Sequence, residues 1–291
     1  MPGVEEMVER VWPGRSAEIE TLGGGITNRN FKVSVDGGVY VLRIGGRDTE
    51  LLGIDRRAEH EASLAAAAVG VGPEVIAFVE PEGYLVTRFI EGAVVIPEAI
   101  REPEPLRRVA RALRAIHGGP PIPARFDPFR VVEAYAATAA VHGIAVPAAF
   151  ERARELAAQV ERARGPVPER PCHNDLLTAN FIDDGTRIRI VDWEYAGMGD
   201  VYFDLANFAV NNGLPAADTT ELLHAYFGGV TPEHQRALTL MRFMSDFREA
   251  MWGVVQQALS DLDFDFRAYA EQHFERLERT AAERTFRRAL G

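Results

Sequence analysis

The sequence predicts an α+β fold of two lobes: an N-terminal antiparallel five-stranded sheet with one helix, followed by a mainly helical C-terminal lobe. Three observations lead to this prediction. Five short apolar runs lie before residue 92, a Pro- and Glu-rich stretch (EGAVVIPEAIREPEP) follows them, and most of the remaining chain has helical periodicity. We therefore divide the 291 residues into lobes 1–91 and 92–291.

The N-terminal strands are bounded by turn residues. In order along the chain they are IETLGGG, NFKVSV, VYVLRI, PEVIAFVE and YLVTRFI. Two of the connections, Asp36-Gly37-Gly38 and Pro81-Glu82-Gly83, are typical of hairpin turns. Asp55 is a suitable N-cap for a helix that runs to about Val69 and ends at Gly70. The helix is therefore inserted after the third strand.

The C-terminal lobe is predicted to consist of helices around one short hairpin. The segment from Leu106 to His117 carries apolar residues at helical spacing, and two further helices are expected between residues 129 and 164. Two strands flank Asp184-Gly185. The rest of the chain is predicted to form helices with breaks at Gly213-Leu214-Pro215 and Gly228-Gly229.

Composition excludes several classes of protein. Lys and Arg total 32, Asp and Glu total 43, and a net charge of −11 gives no electrostatic affinity for nucleic acid. The one cysteine, Cys172, rules out an intrachain disulfide. The N-terminus does not have the pattern of a signal peptide, and the longest apolar stretch is too short to span a bilayer. We expect a cytoplasmic protein with no nucleic-acid or membrane partner, and the oligomeric state stays open, a homodimer included.

The strongest motif is PCHNDLLTANFI, followed by RIVDWEYAG. Asp175 is followed five residues later by Asn180, and the next predicted hairpin ends at Asp192. Protein kinases place their phosphoryl-transfer residues at this spacing, as H-R-D-x-x-x-x-N and then an Asp after a hairpin. The pattern predicts Asp175 as the catalytic base and Asn180 and Asp192 as Mg²⁺ ligands. The alternative is a loop in which these side chains only cap turns.

A glycine-rich turn follows the first predicted strand. In LGGGITNRNF, three consecutive glycines let backbone N–H groups approach phosphate oxygens closely, because no Cβ intervenes. We assign ATP binding at this turn to Gly23, Gly24, Gly25 and Asn28.

The third strand supplies the expected phosphate-binding cation. Strand alternation puts Val41 and Arg43 on one face, with Val41 over the adenine and Arg43 where kinases usually carry a lysine. The following helix offers Glu59 and Glu61 as partners for Arg43, and only one of them can face inward. We prefer Glu59, whose face continues through Ala62. The alternative is that Arg43 lies on the surface of an edge strand.

These and further segments resemble the choline/ethanolamine kinase family, part of the wider aminoglycoside phosphotransferase-like group with its protein-kinase-like fold. The segments that carry the resemblance are GGITNRNF, VYVLRIGG, LVTRFIEG, PCHNDLLTANFI, VDWEYAGMGDVYFDLANFAVNN and MWGVVQQALSDLDFDFRAYAEQHFERL. They extend over about residues 21–277. The resemblance implies an ATP-dependent phosphotransferase with Mg²⁺, acting on a small-molecule amine. It also implies that Arg88 and Ile90 offer backbone groups to adenine.

The resemblance further implies where the acceptor binds. Glu194 would lie near the metal or the substrate, and Asp204 would brace the catalytic loop. The C-terminal helices would form an aromatic pocket that holds a cation. Its candidate residues, together with Glu194, are Tyr195, Glu249, Trp252 and Asp265.

One departure from the family pattern bears on the substrate. Members that bind choline often carry W-G-L-W before Ile-Val-Gln, and here Glu249 replaces the first Trp. A carboxylate suits a primary ammonium, which keeps its N–H donors, better than a trimethylammonium. The alternative is a solvent-facing Glu249. We expect choline or ethanolamine as the substrate, with choline the less favoured.

Other functions remain open on the sequence alone. One is a kinase of a larger amine, an aminoglycoside or thiamine, and another is a nucleotide-binding protein without catalysis. A protein kinase is disfavoured because the sequence has no D-F-G and no A-P-E segment.

Overall fold

The structure, a computed structural model, describes residues 3–23, 28–46, 48–260 and 262–291. It confirms the predicted antiparallel five-stranded sheet, whose strand order is β1–β2–β3–β5–β4. The strands are β1 (Ala17–Leu22), β2 (Asn28–Val35), β3 (Gly38–Gly45), β4 (Val75–Val79) and β5 (Tyr84–Arg88). The helices of this part are α1 (Val4–Val11) and α2 (Arg56–Ala68), with a 3₁₀ turn over Thr49–Leu52.

The two faces of strand β3 have different environments. Leu42 and Ile44 are buried in a core that includes Met7 of helix α1, while Val41 and Arg43 point to the opposite, partly exposed face. This alternation follows from the strand period of two. The sheet therefore turns one apolar face toward α1 and presents Arg43 on the other.

Helix α2 begins where the sequence predicts. The Asp55 side chain accepts hydrogen bonds from the backbone N–H groups of Arg57 and Ala58, as an N-cap does. Glu59 of the first turn is buried, whereas Glu61 is exposed. The cap thus fixes which carboxylate of α2 faces the interior.

The remaining strands are short and lie in the C-terminal lobe. They are β6 (Ala93–Val94), β7 (Arg170–Cys172), β8 (Phe181–Asp183), β9 (Ile188–Ile190) and β10 (Gly197–Gly199). Strand β6 pairs with β8, which in turn pairs with β9, and β7 pairs with β10. The chain is therefore anchored to the β8–β9 hairpin as soon as it leaves the sheet.

Helices make up most of the C-terminal lobe, as predicted. They are α3 (Pro97–Ile100), α4 (Pro103–His117), α5 (Pro128–Val141), α6 (Ala149–Arg164), α7 (Val201–Asn211), α8 (Ala216–Phe227), α9 (Pro232–Leu259), α10 (Phe266–Ala282) and α11 (Arg284–Leu290). The 28-residue helix α9 packs against α5, α7 and α10 and is buried over most of its length. None of the described helices has the length and apolarity needed to cross a membrane.

Candidate active site

Helix α7 stabilises the loop that carries Asp175 through hydrogen bonds to the loop backbone. The Asp204 carboxylate, which is fully buried, accepts hydrogen bonds from the backbone N–H groups of His173 (2.8 Å) and Asn174 (2.6 Å). Asn174 adopts a positive φ of 67°, and its side-chain amide donates to the Tyr195 carbonyl at 3.1 Å. The expectation that Asp204 braces this loop is met by these contacts.

His173 shapes the same loop as a neutral side chain. Burial lowers the pKa of its imidazole below the ordinary value. Its Nε2 lies 3.0 Å from the Val191 carbonyl, and its Nδ1 accepts from the Asp175 N–H at 3.2 Å. These partners assign the proton to Nε2. His173 therefore links the Asp175 loop to the strand end that precedes Asp192.

The structure brings Asp175 and Asn180 together. Nδ2 of Asn180 donates to the backbone carbonyl of Asp175 at 2.9 Å, which orients the amide and leaves its Oδ1 for another partner. Asp192 has a positive φ of 70° at the end of the β8–β9 hairpin segment. Burial raises the pKa of the Asp175 carboxyl to about 7, against the opposing effect of Arg248.

Arg43 joins the sheet to Asp192. Its Nη1 donates to Oε1 of Glu59 at 2.7 Å and to Oδ1 of Asp192 at 2.6 Å. Burial disfavours a charged guanidinium, but the two carboxylates outweigh it and raise the pKa of Arg43. Arg43 is therefore a half-buried, permanently charged cation that links strand β3 to Glu59 and Asp192.

A second arginine, Arg56, completes this network and was not predicted from the sequence. Its Nη1 donates to Oε2 of Glu59 (2.7 Å) and to Oε2 of Glu194 (3.2 Å). Its Nη2 donates to Oδ1 of Asn28 (3.0 Å) and to Oγ1 of Thr49 (3.1 Å). The network thus ties the end of the glycine-rich segment to helix α2 and to the catalytic hairpin.

Glu194 lies on the Asp192 side of the site. Its Oε2 also accepts from Nδ2 of Asn28 at 2.8 Å. Burial, and then the negative charge of Asp192, raise the pKa of the Glu194 carboxyl to about 8. We expected Glu194 to lie near the metal or the substrate. In the structure, its side-chain hydrogen bonds are with Asn28 and Arg56.

The oxygen donors of this region fit a divalent cation. Because the pKa of Glu194 is raised to about 8, the carboxylates of Glu59 and Asp192 balance the two guanidinium groups, and the fit rests on the donor atoms. Asp192 and the outward oxygen of Asn180 are hard oxygen donors of the kind that Mg²⁺ takes alongside water and phosphate. The residues therefore fit a magnesium ion.

The predicted adenine and glycine-turn residues are placed as follows. Gly23 is described, and a Cβ there would meet open space, while Gly24 and Gly25 lie outside the described residues. Arg88 donates its backbone N–H to the Glu74 carbonyl at 2.8 Å, so this N–H is already engaged. Ile90, two residues past β5, makes no backbone hydrogen bond to another described residue.

A second buried group faces Asp175 from helix α9. Arg248 and Glu249 are 1% and 2% exposed, so Glu249 does not face solvent. Nη1 of Arg248 donates to Oε1 of Glu249 at 2.8 Å and to Oδ1 of Asp175 at 3.1 Å. Asn207 of α7 and Tyr269 of α10 also donate to Glu249, at 3.2 and 2.8 Å.

Aromatic side chains close around this pair. The Arg248 guanidinium carbon lies 4.4 Å from the centroid of the Tyr195 ring, which is cation–π distance. Nε1 of Trp252 donates to the Tyr195 hydroxyl at 3.1 Å, and the Tyr269 ring packs edge-on against Trp252. The structure thus brings three predicted acceptor residues, Tyr195, Glu249 and Trp252, into one cluster.

Asp265 lies apart from that cluster. It is exposed, and its carboxylate caps helix α10 by accepting from the Ala268 N–H at 2.8 Å. Arg248 is the acceptor-side residue that sequence reasoning missed. The available signal was the adjacent charged pair Arg248-Glu249 within the otherwise largely apolar segment FREAMWGVV, since a charged residue that is buried is almost always paired.

Comparisons with known proteins identify the family and fold of the chain. The chain matches the phosphotransferase enzyme family over residues 18–241. A crystal structure of a choline/ethanolamine kinase family protein from Mesorhizobium loti is 33% identical, with a TM-score of 0.84 over 98% of this chain and 97% of that one. Human ethanolamine kinase 2 is 28% identical over 311 residues, which cover 94% of this chain and 79% of the relative.

The fold is shared more widely than the sequence. The choline kinase LicA of Streptococcus pneumoniae has a TM-score of 0.81 at 22% identity, with 96% of this chain and 97% of that chain covered. At that identity the likeness speaks for the kinase-like fold alone.

Proposed function

Because the chain belongs to the phosphotransferase enzyme family, in its choline/ethanolamine kinase branch, we propose that it transfers the γ-phosphate of ATP to a hydroxyl of a small amine-bearing metabolite. The observation that carries the proposal is the meeting of two groups at Asp175. Asn180 donates to the Asp175 carbonyl and the Asp192 charge acts on the Asp175 carboxyl, while Arg248, which is paired with Glu249 and covered by Tyr195, donates to the same carboxyl.

Each side has its own task in this proposal. Arg43 and the glycine turn hold the nucleotide phosphates, and Asn180 and Asp192 hold Mg²⁺. Bound Mg²⁺ offsets the negative charge on the phosphates. Asp175 orients the acceptor hydroxyl and takes its proton as transfer proceeds.

The acceptor in this proposal is a small primary amine. Tyr195, Trp252 and Tyr269 pack closely around Glu249, and this tight packing favours a small molecule over an aminoglycoside. The Glu249 carboxylate can accept N–H bonds from a primary ammonium, which a trimethylammonium cannot donate. Ethanolamine is thus the parent compound of the proposed substrate class, and choline is disfavoured.

The test is Mg²⁺-dependent ADP release from ATP with a panel of amines, together with detection of the phosphorylated product. The panel holds ethanolamine, choline, other amino alcohols, thiamine and an aminoglycoside. We expect stimulation by a small primary amino alcohol. Intact ATP binding with no stimulation by any amine would overturn the proposal in favour of a nucleotide-binding protein without catalysis.

The same assay tests Asp175 directly. Asp175→Ala is expected to cut turnover by about 10²- to 10⁴-fold and to leave ATP affinity nearly intact. Asp218→Ala, on helix α8 and away from the site, is the matched control and keeps wild-type turnover. Loss of ATP affinity together with turnover in Asp175→Ala would make Asp175 a structural residue.

A further inference from the structure

The inference begins with a single nitrogen that serves two carboxylates. Nη1 of Arg248 donates to Asp175 at 3.1 Å and to Glu249 at 2.8 Å. Arg248 thus lies between the proposed base and the carboxylate proposed for the acceptor amine. A positive and a negative group therefore stand side by side in the acceptor site.

The same guanidinium has further hydrogen-bonding capacity. Nε and Nη2 of Arg248 are buried, and no described residue accepts a hydrogen bond from either. One face of the guanidinium is covered by the Tyr195 ring. Buried donors without acceptors are costly, and more so on a charged group. An acceptor oxygen from a bound molecule would satisfy these N–H groups.

Acceptor binding adds a second electrostatic condition. A hydroxyl that binds Asp175 shares this carboxylate with Arg248, because an ionised carboxylate accepts several hydrogen bonds. A purely cationic acceptor would then stand next to Arg248, and like charges at close range are unfavourable. An acceptor that also carries a carboxylate supplies acceptor oxygens to Nε and Nη2 of Arg248.

We propose that the acceptor is a hydroxylated amino acid, a molecule that carries an ammonium and a carboxylate besides its hydroxyl. Its carboxylate would bind Arg248, its ammonium would lie between Glu249 and the aromatic rings, and its hydroxyl would meet Asp175. Arg248 is then the specificity-determining residue. The inference rests on the proposed phosphotransferase function and narrows its substrate class.

The transfer itself is balanced without further reactants. The acceptor oxygen uses a lone pair to bond to the γ-phosphorus, and the bond from that phosphorus to the bridging oxygen breaks. The electron pair of the broken bond stays on ADP, and the hydroxyl proton passes to Asp175. The product is a phosphomonoester that keeps both the ammonium and the carboxylate.

The test uses three pairs of compounds that differ only in a carboxylate. They are ethanolamine with L-serine, 1-amino-2-propanol with L-threonine, and 3-amino-1-propanol with L-homoserine. We measure kcat/KM for Mg²⁺-dependent ADP release with the full-length protein and identify the phosphorylated product. We expect a preference of about tenfold or more for the carboxylated member in at least one pair, or about 1.4 kcal/mol.

Variants assign that preference to Arg248. Arg248→Met is expected to lower kcat/KM for the carboxylated compound and to remove the preference, while Arg248→Lys keeps part of it. Arg242→Met, which removes another arginine of helix α9, is the matched control and keeps the wild-type preference. Binding of a non-hydrolysable ATP analogue shows that each variant is folded; if Arg248→Met fails this check, Arg248→Gln takes its place.

The outcomes separate the two proposals. Turnover of the simple amino alcohols in preference to all three amino acids overturns this inference and leaves the phosphotransferase function standing. A carboxylate preference that survives in Arg248→Met also overturns it, because another residue then binds the carboxylate. Stimulation by none of the compounds, nor by the wider amine panel, overturns the proposed function and this inference together.

Discussion

Nη1 of Arg43 donates to Oδ1 of Asp192 at 2.6 Å, so a side chain from the sheet holds a carboxylate from the helical lobe. The same nitrogen also donates to Glu59 of helix α2. One guanidinium thereby fixes two acidic groups at the proposed phosphate site. A lysine ammonium at this position would be a point charge without the planar fork of donors.

The first prediction concerns that guanidinium. Arg43→Met leaves Asp192 without its cation and Glu59 with Arg56 alone, so we expect the free energy of unfolding to fall by about 1–3 kcal/mol. The KM for ATP should rise, because the proposed phosphate ligand is gone. Denaturant unfolding and ATP-dependent kinetics measure the two effects.

Two further variants interpret the Arg43 result. Arg43→Lys should recover part of both losses, because the charge is retained. Arg57→Met, which removes an exposed arginine paired with Glu80, should change neither. An unchanged KM for ATP in Arg43→Met would exclude Arg43 from nucleotide binding.

The second prediction concerns magnesium. Asp192→Asn keeps the shape of the side chain but removes the charge of the proposed ligand, so the Mg²⁺ concentration for half-maximal activity should rise by about tenfold or more, or about 1.4 kcal/mol. A magnesium titration at fixed ATP measures it. Asp183→Asn, on the same hairpin but paired with Arg108, is the control and should keep the wild-type titration. If Asp192→Asn has the same magnesium titration as the wild type and Asp183→Asn, Asp192 is not a ligand of the metal.

The third prediction concerns pH and stability. Burial raises the pKa of Asp175 in the folded protein to about 7, against an ordinary value of about 3.9 for the unfolded chain. The stability associated with this group is fully present below the unfolded value and is lost as pH rises through the folded value. Asp175→Asn removes that dependence.

The measurement is the melting temperature of both proteins from pH 4 to pH 8. Asp175→Asn should match the wild type near pH 4 and exceed it by about 2 °C or more above pH 7, although it is inactive. A difference that is constant across this range, or that shrinks as pH rises, contradicts a raised pKa for Asp175.

The fourth prediction separates capping from substrate binding at Asp265. Asp265→Ala removes the N-cap of helix α10 and should lower the free energy of unfolding by about 1 kcal/mol. Asp265→Asn keeps a capping oxygen and should be nearly as stable as the wild type. Neither variant should change the KM for the acceptor. A raised KM in both variants would return Asp265 to the acceptor site.

The sheet and the ends of several helices could be predicted because their signals are local. Asp55 caps helix α2 through the next residues in the chain, and the inward face of that helix distinguishes Glu59 from Glu61. The breaks before α8 and α9 follow from glycine and proline. The shortest strands, such as β6, were not predicted because two residues carry no periodicity.

The arginines of the site could not be predicted in the same way. A charged residue on a helix usually faces solvent, and burial of Arg248 depends on Asp175, which lies 73 residues earlier in the chain. Arg56 is likewise turned inward, half-buried, by its contact with Glu194, which lies 138 residues later. Only the folded chain shows that such residues face partners instead of water.

Arg248 and Glu249 are consecutive residues of helix α9, and this adjacency bears on how substrate range diverges among related proteins. Two neighbouring codons encode the pair that we propose to bind the acceptor, while Asp175, Asn180 and Asp192 are encoded in a separate stretch of the gene. Because Arg248 also donates to Asp175, an exchange at position 248 acts on the acceptor site and on the proposed base together, whereas position 249 has no such bond to Asp175. A mutational library confined to these two positions samples that divergence directly.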